Sequence, residues 1–171
     1  DMRTAKNIST CRVDDMTCES FCRCRPGYGG VDCGQTSTEV TQKAGLRLTM
    51  LGMVESMLSS AEKSGSSMDE LIPISENMRS ISEVPHELNA RSVTKIGQLY
   101  GRLTNAITSQ SNAPTVVLDN MAATLHNTML ASTLGALTSS SDILQMTSQL
   151  AQSVSGKLLS GETAVEYSFS T

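Results

Sequence analysis

Aromatic residues are nearly absent from this 171-residue chain, which has two Phe, three Tyr and no Trp, together 3% of its residues. Hydrophobic residues still make up 39% of the chain, and this fraction is enough for a folded core and excludes a disordered polar tail. Any core must therefore be aliphatic, built from Leu, Ile, Val, Ala and the ten Met.

The chain also lacks an excess of positive charge and a long apolar run. Its net charge is −4, whereas binding to nucleic acid requires clustered Lys and Arg, so we predict that nucleic acid is not a partner. The longest stretch without Lys, Arg, Asp or Glu, 120–141, is long enough to cross a bilayer. Because His126, Asn127 and several hydroxyls interrupt it, we predict a core helix there and no transmembrane segment.

Recognisable catalytic motifs are missing as well. The sequence has no G-x-S-x-G, no P-loop and no H-E-x-x-H. Its two histidines, His86 and His126, are far apart in sequence, and the acidic pairs Asp14-Asp15 and Asp69-Glu70 are typical of exposed turns. We therefore predict no enzymatic activity, no cofactor and no metal site.

The cysteines divide the chain into two parts. All five lie within the first 33 positions, at Cys11, Cys18, Cys22, Cys24 and Cys33. A module this small cannot build a sufficient core, so dense cysteine indicates disulfides and an oxidising compartment. A zinc site is the alternative, but one residue separates Cys22 from Cys24 and no His is near, which favours disulfides. We predict an extracellular or cell-surface location, reached through the secretory pathway.

The spacing of the last three cysteines points to a family. Cys22-Arg23-Cys24, followed by Pro26-Gly27, Gly29-Gly30 and Cys33, resembles the C-terminal half of an EGF-like module. Pro26-Gly27 is expected to open a tight turn, and Gly29-Gly30 to supply positive φ angles.

In that family six cysteines pair first to third, second to fourth and fifth to sixth. The resemblance therefore implies Cys24–Cys33 and Cys11–Cys22 disulfides, and it leaves Cys18 to pair with a cysteine outside this segment, before Asp1. Calcium binding is not expected, because the short interval from Cys18 to Cys22 lacks the positions that calcium-binding members carry there. Asn7-Ile8-Ser9 is an acceptor motif, and we predict a glycan on Asn7.

After Cys33, apolar residues recur every three or four positions and predict about five amphipathic helices. They are expected at about 38–61, 68–84, 88–107, 114–134 and 143–160, the last capped by 139–142, with a kink or an irregular first turn caused by Pro73. Met50, Met53 and Met57 form a second stripe on the first helix. Such a stripe suits a ligand groove, but its helical spacing favours packing in the core.

These patterns define the predicted organisation as mainly α. An EGF-like module, incomplete at its N-terminal side, covers 1–35, and a bundle of about five helices covers 36–160. Residues 161–171 alternate apolar with polar residues and predict a strand that begins a β-region continued elsewhere. We also expect the chain to be a mature or excised segment, because Asp1 is not followed by a basic-then-apolar leader.

The order of these parts resembles a second arrangement. The parts are, in order, an EGF-like ending, the segment from Val84 to Asn89 between two helices, a Ser-rich loop, and a helix that runs into Ser160-Gly161-Glu162 and a strand. This order is similar to that of the helical region in polycystin-1-like and adhesion-receptor ectodomains, the GAIN-type arrangement. The resemblance implies a non-enzymatic structural or adhesive segment of a large multidomain cell-surface protein, whose partners are proteins or neighbouring domains.

Two other hypotheses remain. The first is a structural subunit of an extracellular filament such as a flagellar hair, in which the C-terminal strand pairs with the next protomer. The second, which we favour least, is a secreted helical protein that binds a small apolar ligand between Met-lined faces.

Overall fold

The computed structural model describes residues 24–30, 32–109, 114–134 and 140–155, and side chains of the last segment are described for 143–152. Two strands of two residues, β1 (Tyr28–Gly29) and β2 (Gln35–Thr36), pair antiparallel. Five helices follow, and they confirm the mainly α prediction: α1 (Ser37–Ser64), α2 (Met68–Ser82), α3 (Ala90–Thr108), α4 (Thr115–Thr133) and α5 (Ser140–Ser155).

Local signals set the end of α1 and the start of α2. Gly65 adopts a left-handed conformation with φ of 99°, and its N–H donates to the carbonyl of Ala61. Glycine suits this position because it has no Cβ to strain the left-handed backbone. Ser67 precedes α2, and its backbone N–H donates to the Glu70 carboxylate over 3.1 Å. The turn between the two helices is therefore short, and α2 reverses the direction of α1.

The predicted start of the third helix at Leu88 is wrong. Residues Pro85–Glu87 form a short 3-10 turn, and Asn89 caps α3 by accepting a hydrogen bond from the Ser92 N–H over 2.9 Å. An Asn at this position satisfies a helix N–H that has no partner within the helix. Leu88 is nevertheless buried, so its apolar character was a guide to the core and not to the helix.

Two further details of the helices differ from expectation. The helix α2 is continuous from Met68 to Ser82, so Pro73 does not make its first turn irregular, and the kink expected as the alternative stays a prediction. The helix α5 begins at Ser140, so Ser140, Ser141 and Asp142 belong to the helix itself rather than to a preceding cap.

The first, third and fifth helices run in the same direction. Glu55 pairs with Lys95 and Glu62 with Arg102, both at a separation of 40 residues, so α1 and α3 are parallel. An added Cβ at Gly97 would lie 3.9 Å from Met146 Sδ, and one at Gly101 3.1 Å from Gln149 Nε2, so α3 and α5 are parallel as well. At about 100° per residue, the side of α3 that carries Lys95 and Arg102 is turned about 130° from the side that carries Gly97 and Gly101, so α1 and α5 contact different sides of α3. The order in this row is therefore α1, α3, α5.

The second row contains α2 and α4. Ser75 bonds to Asn120 and Ser82 to Asn127, both at a separation of 45 residues, so these two helices are also parallel. The two rows pack face to face and enclose an aliphatic core, in which Tyr100 is the one fully buried aromatic residue within the described ranges. The other largest side chains with less than 2% exposure are all aliphatic or Met: Leu51, Leu58, Leu71, Ile74, Met78, Ile81, Ile96, Leu99, Leu103, Ile107 and Met121.

The prediction that the Met stripe of α1 packs in the core is wrong. Met50, Met53 and Met57 are 37%, 62% and 39% exposed, and Leu46 on the same stripe is 61% exposed. The core-facing side of α1 is instead occupied by a different set of residues, which includes Leu51, Val54 and Leu58. Regular spacing identifies a stripe on a helix, but it does not tell which stripe another helix covers.

Replacement of two methionines by alanine tests this assignment. Met78 is 1% exposed and Met53 is 62% exposed. We expect Met78→Ala to lower the free energy of unfolding by about 2–5 kcal/mol, because it leaves a cavity, and Met53→Ala to change it by less than about 0.5 kcal/mol. Urea unfolding of dilute protein, followed by circular dichroism, measures both values. Equal losses in the two variants would contradict the assignment.

Candidate functional site: the junction between the disulfide hairpin and the first helix

A disulfide closes the segment that precedes the helices. Cys24 and Cys33 are bonded, with their Cα atoms 5.2 Å apart. Within the loop, the N–H of Tyr28 donates to the carbonyl of Arg25 over 3.1 Å and closes a turn. Gly27 and Gly30 have φ angles of 89° and 86°, so positive φ occurs at Gly30, as expected, and at Gly27 rather than Gly29. The paired strands and the disulfide make this segment a closed hairpin.

The other predicted site residues lie outside the described residues. They are Asn7, Cys11, Cys18 and Cys22. The Cys11–Cys22 disulfide, the external partner of Cys18 and the glycan on Asn7 therefore stay predictions. The same holds for the strand expected within 161–171.

No linker separates the hairpin from α1. Thr36 is the last residue of β2 and also the N-cap of α1. Its hydroxyl accepts the N–H of Glu39 over 3.3 Å, while its own N–H donates to the Glu39 carboxylate over 2.7 Å. This capping box satisfies helix N–H groups that would otherwise have no partner. The hydrogen bonds from the Thr36 backbone and side chain also lower the pKa of Glu39.

Two further contacts hold the hairpin against the first turns of α1. The N–H of Ser37 donates to the carbonyl of Gly27 over 2.8 Å. Gly29 lies so close to α1 that an added Cβ would be 3.0 Å from Val40 Cγ2. Backbone pairing, capping and packing therefore meet at one point, and they couple the orientation of the hairpin to that of the helix.

Ion pairs join α1 to α3 and to the turn before it. Arg102 binds the Glu62 carboxylate with a closest distance of 2.6 Å and also donates to the Ser59 hydroxyl over 2.9 Å. Lys95 binds Glu55. Hydrogen bonds from Lys95 lower the pKa of Glu55, and those from Arg102 lower the pKa of Glu62. Exposed pairs of this kind contribute little energy, but their spacing distinguishes one register from another.

Glu87 makes the most enclosed of these pairs. Its side chain is 13% exposed and receives Arg47 at 2.6 Å and Lys43 at 3.3 Å. Arg47 also donates to the carbonyl of Ile81 over 2.6 Å, which ties α1 to the end of α2. Burial alone would raise the pKa of Glu87, but the hydrogen bonds from Arg47 and Lys43 outweigh it, so that the pKa lies below its ordinary value.

Amide side chains connect the second row in a similar way. The Asn120 side chain is buried; it donates to the Ser75 hydroxyl over 3.1 Å and accepts from Arg79 over 3.3 Å. Seven residues further on, Asn127 donates to the Ser82 hydroxyl over 3.3 Å. Sequence reasoning did not identify these residues or the ion pairs. Their constant separations of 40 and 45 residues become visible only once the packing of the helices is known.

The described part of the chain contains no cluster of three His, Cys, Asp or Glu that could hold a metal ion. His86 lies in the 3-10 turn and His126 in α4, and both are half-buried. Two shallow grooves flank α3, one of about 510 Å³ against α1 and one of about 240 Å³ against α5. Met146 lines the second groove, while the exposed Met stripe of α1 lines neither. Neither of these two grooves is therefore the pocket between Met-lined faces that the ligand-binding hypothesis requires.

Comparison with known proteins gives no relative: no family model, no curated protein and no solved structure matches this chain. None of the helices in the described ranges is long and apolar enough to span a membrane.

Removal of the Glu87 carboxylate should change the acid stability of the fold. A carboxyl group with a lowered folded-state pKa stabilises the protein above its unfolded pKa, about 4.5, and this contribution is lost as the pH falls through the folded value. We expect Glu87→Gln to lower the free energy of unfolding by about 1–2 kcal/mol at pH 7 and to reduce its decline below pH 4.5.

The matched control is Glu76→Gln, because Glu76 is exposed on α2 and makes no ion pair among the described residues. Urea titrations between pH 3 and 7 supply the measurement. The same pH dependence in the Glu87→Gln variant and in the unchanged protein would show that this carboxylate does not stabilise the fold.

Proposed function

We propose that this chain is a non-enzymatic structural segment of a larger extracellular protein, in which the disulfide hairpin and the helices act as one stiff spacer. The observation that carries this proposal is the absence of a linker, since Thr36 belongs to both the hairpin and the cap of α1. A flexible joint between two modules requires residues that neither module orders, and here no such residue exists between β2 and α1.

The location rests on covalent chemistry. The Cys24–Cys33 disulfide is compatible with an oxidising compartment. The predicted glycan on Asn7 and the dense cysteines before Cys24 support the same location. The EGF-like and GAIN-type resemblances extend the proposal to an adhesive ectodomain at the cell surface, in which this chain is joined to neighbouring domains.

The helices suit a mechanical role rather than a chemical one. Tension along the chain would act on two rows of helices. The Glu55–Lys95 and Glu62–Arg102 pairs join neighbouring helices of the first row, and the Ser75–Asn120 bond joins those of the second. Each helix also packs against two or more others, so the helices share a single core.

A filament subunit is the second candidate function. The observation that favours it is the exposed apolar stripe on α1, formed by Leu46, Met50, Met53 and Met57. A stripe of this kind on an extracellular protein is typical of a surface that contacts another protein.

Stiffness at the junction can be measured as a distribution of distances. Spin labels placed on the full chain through non-canonical amino acids at Tyr28 and Ser80, both exposed, avoid the native cysteines. We expect one narrow distribution, because the hairpin is bonded to α1 at Ser37 and packed on Val40. Insertion of six Gly and Ser residues between Thr36 and Ser37 should broaden it by uncoupling the hairpin.

A second label pair, at Gln42 and Ser80, serves as the control, since both positions lie within the helices and the insertion should not affect their distance. If the unchanged chain gave a distribution as broad as the insertion variant does, the hairpin would be a mobile appendage and the spacer proposal would fail.

A further inference from the structure

The exposed stripe of α1 lies at one end of a row of parallel helices. At about 100° per residue, Leu46, Met50, Met53 and Met57 lie about 180° from Glu55 and Glu62, which face α3. The charged residues between Gly45 and Ser60 are Arg47 and Glu55, and both are engaged elsewhere, with Glu87 and with Lys95. The stripe therefore presents an uncharged apolar ridge where the row α1, α3, α5 begins.

The exposed surface of α5, at the other end of the row, complements the ridge of α1. Gln145, Met146 and Gln149 of α5 face α3, and Leu144, Thr147 and Ala151 lie on the opposite side. All three are exposed, and Leu144 has the highest exposure among the large apolar residues described, 69%. The side chains described in α5, 143–152, include no charged residue although the chain carries a net charge of −4. Apart from Leu144, the side chains on this surface, Thr147 and Ala151, are small.

We propose that copies of this chain stack end to end, with the Leu46–Met57 ridge of one copy packed on the Leu144–Ala151 surface of the next. A large ridge against a surface of small side chains repeats the way Met146 packs against Gly97 between α3 and α5. One contact of this type covers both exposed apolar ends, whereas a two-fold pairing of α1 with α1 would leave Leu144 uncovered. Because the contact joins different surfaces, it builds a ring where the rotation between copies closes and an open-ended assembly where it does not, and both contain more than two copies.

The offsets within the row predict which residues meet. α1 and α3 are offset by 40 residues, and α3 and α5 by 48 or 49, as Gly101 opposite Gln149 and Gly97 opposite Met146 show. Leu144 is therefore level with the part of α1 between Met53 and Met57. A next copy placed at the same level would put its Met53 and Met57 on either side of Leu144. This inference rests on the filament candidate, whose evidence is the same stripe, and it is independent of the spacer proposal, since a stiff segment does not need to self-associate.

Sedimentation velocity of the full chain, from low to several hundred micromolar, tests the stacking. We expect species larger than a dimer that grow with concentration, and non-reducing gels identify any covalent dimers. Met53→Glu should weaken association at least about tenfold, because an unpaired charge would be buried in the contact, and Leu144→Lys should do the same. Ser80→Glu, which adds the same charge on the exposed side of α2, should associate like the unchanged chain.

A double variant that carries both charges tests whether the α1 ridge of one copy contacts α5 of another. In the Met53→Glu/Leu144→Lys double variant every α1-to-α5 contact brings a carboxylate to an ammonium group, so association should recover. Circular dichroism establishes that each variant is folded. A chain that remains monomeric at all concentrations would overturn the proposal. A dimer that is insensitive to Leu144→Lys, and that is recovered only by mixing Met53→Glu with Met53→Lys, would overturn it in favour of two-fold pairing.

Discussion

The parallel arrangement of α1 and α3 at a constant offset of 40 residues is the constraint on which the rest of the fold depends. Arg47–Glu87, Glu55–Lys95 and Glu62–Arg102 all have this separation. The short turn at Gly65 requires α2 to reverse direction, so α3 can lie parallel to α1 only if a second helix row returns beneath the first. α2 and α4 form that row, and α5 then repeats on α3 the relation that α3 has to α1. The two open ends of the row follow from the same geometry.

Different forces stabilise and specify this arrangement. Burial of aliphatic side chains supplies most of the free energy, because it scales with the apolar area removed from water. Such burial is weakly directional. Among the described residues the core holds a single fully buried aromatic side chain, and it therefore offers few shapes that exclude a shifted register. The ion pairs of the first row and the Asn120 and Asn127 bonds of the second are each modest in energy. Their spacing, however, matches one register, since a shifted helix would leave Asn120 buried without its Ser75 partner.

Local features of the fold were predictable from the sequence, and non-local ones were not. Gly65 and Ser67 marked the boundary between α1 and α2, because capping depends on residues adjacent in sequence. The aliphatic core followed from composition. The position of Leu88 outside α3 was missed because Asn89 is a stronger helix start than an apolar residue. The Met stripe was placed inside because its period matches that of the core-facing stripe, and which stripe is covered depends on where α2 and α3 lie. At the junction the cysteine spacing indicated a closed loop, but the double role of Thr36 required the structure.

The parallel register is open to direct measurement by zero-length carbodiimide cross-linking, which joins a lysine to a carboxylate only when the two are in contact. Mass spectrometry of the digested chain should find Lys95 joined to Glu55 and Lys43 joined to Glu87, because the first pair joins α1 to α3 and the second joins α1 to the turn before α3. Cross-links of Lys95 to Glu39, near the opposite end of α1, in place of Glu55 would show that α1 and α3 do not run parallel in this register. The arrangement of two rows, and with it the stacking surface at their ends, would then be wrong.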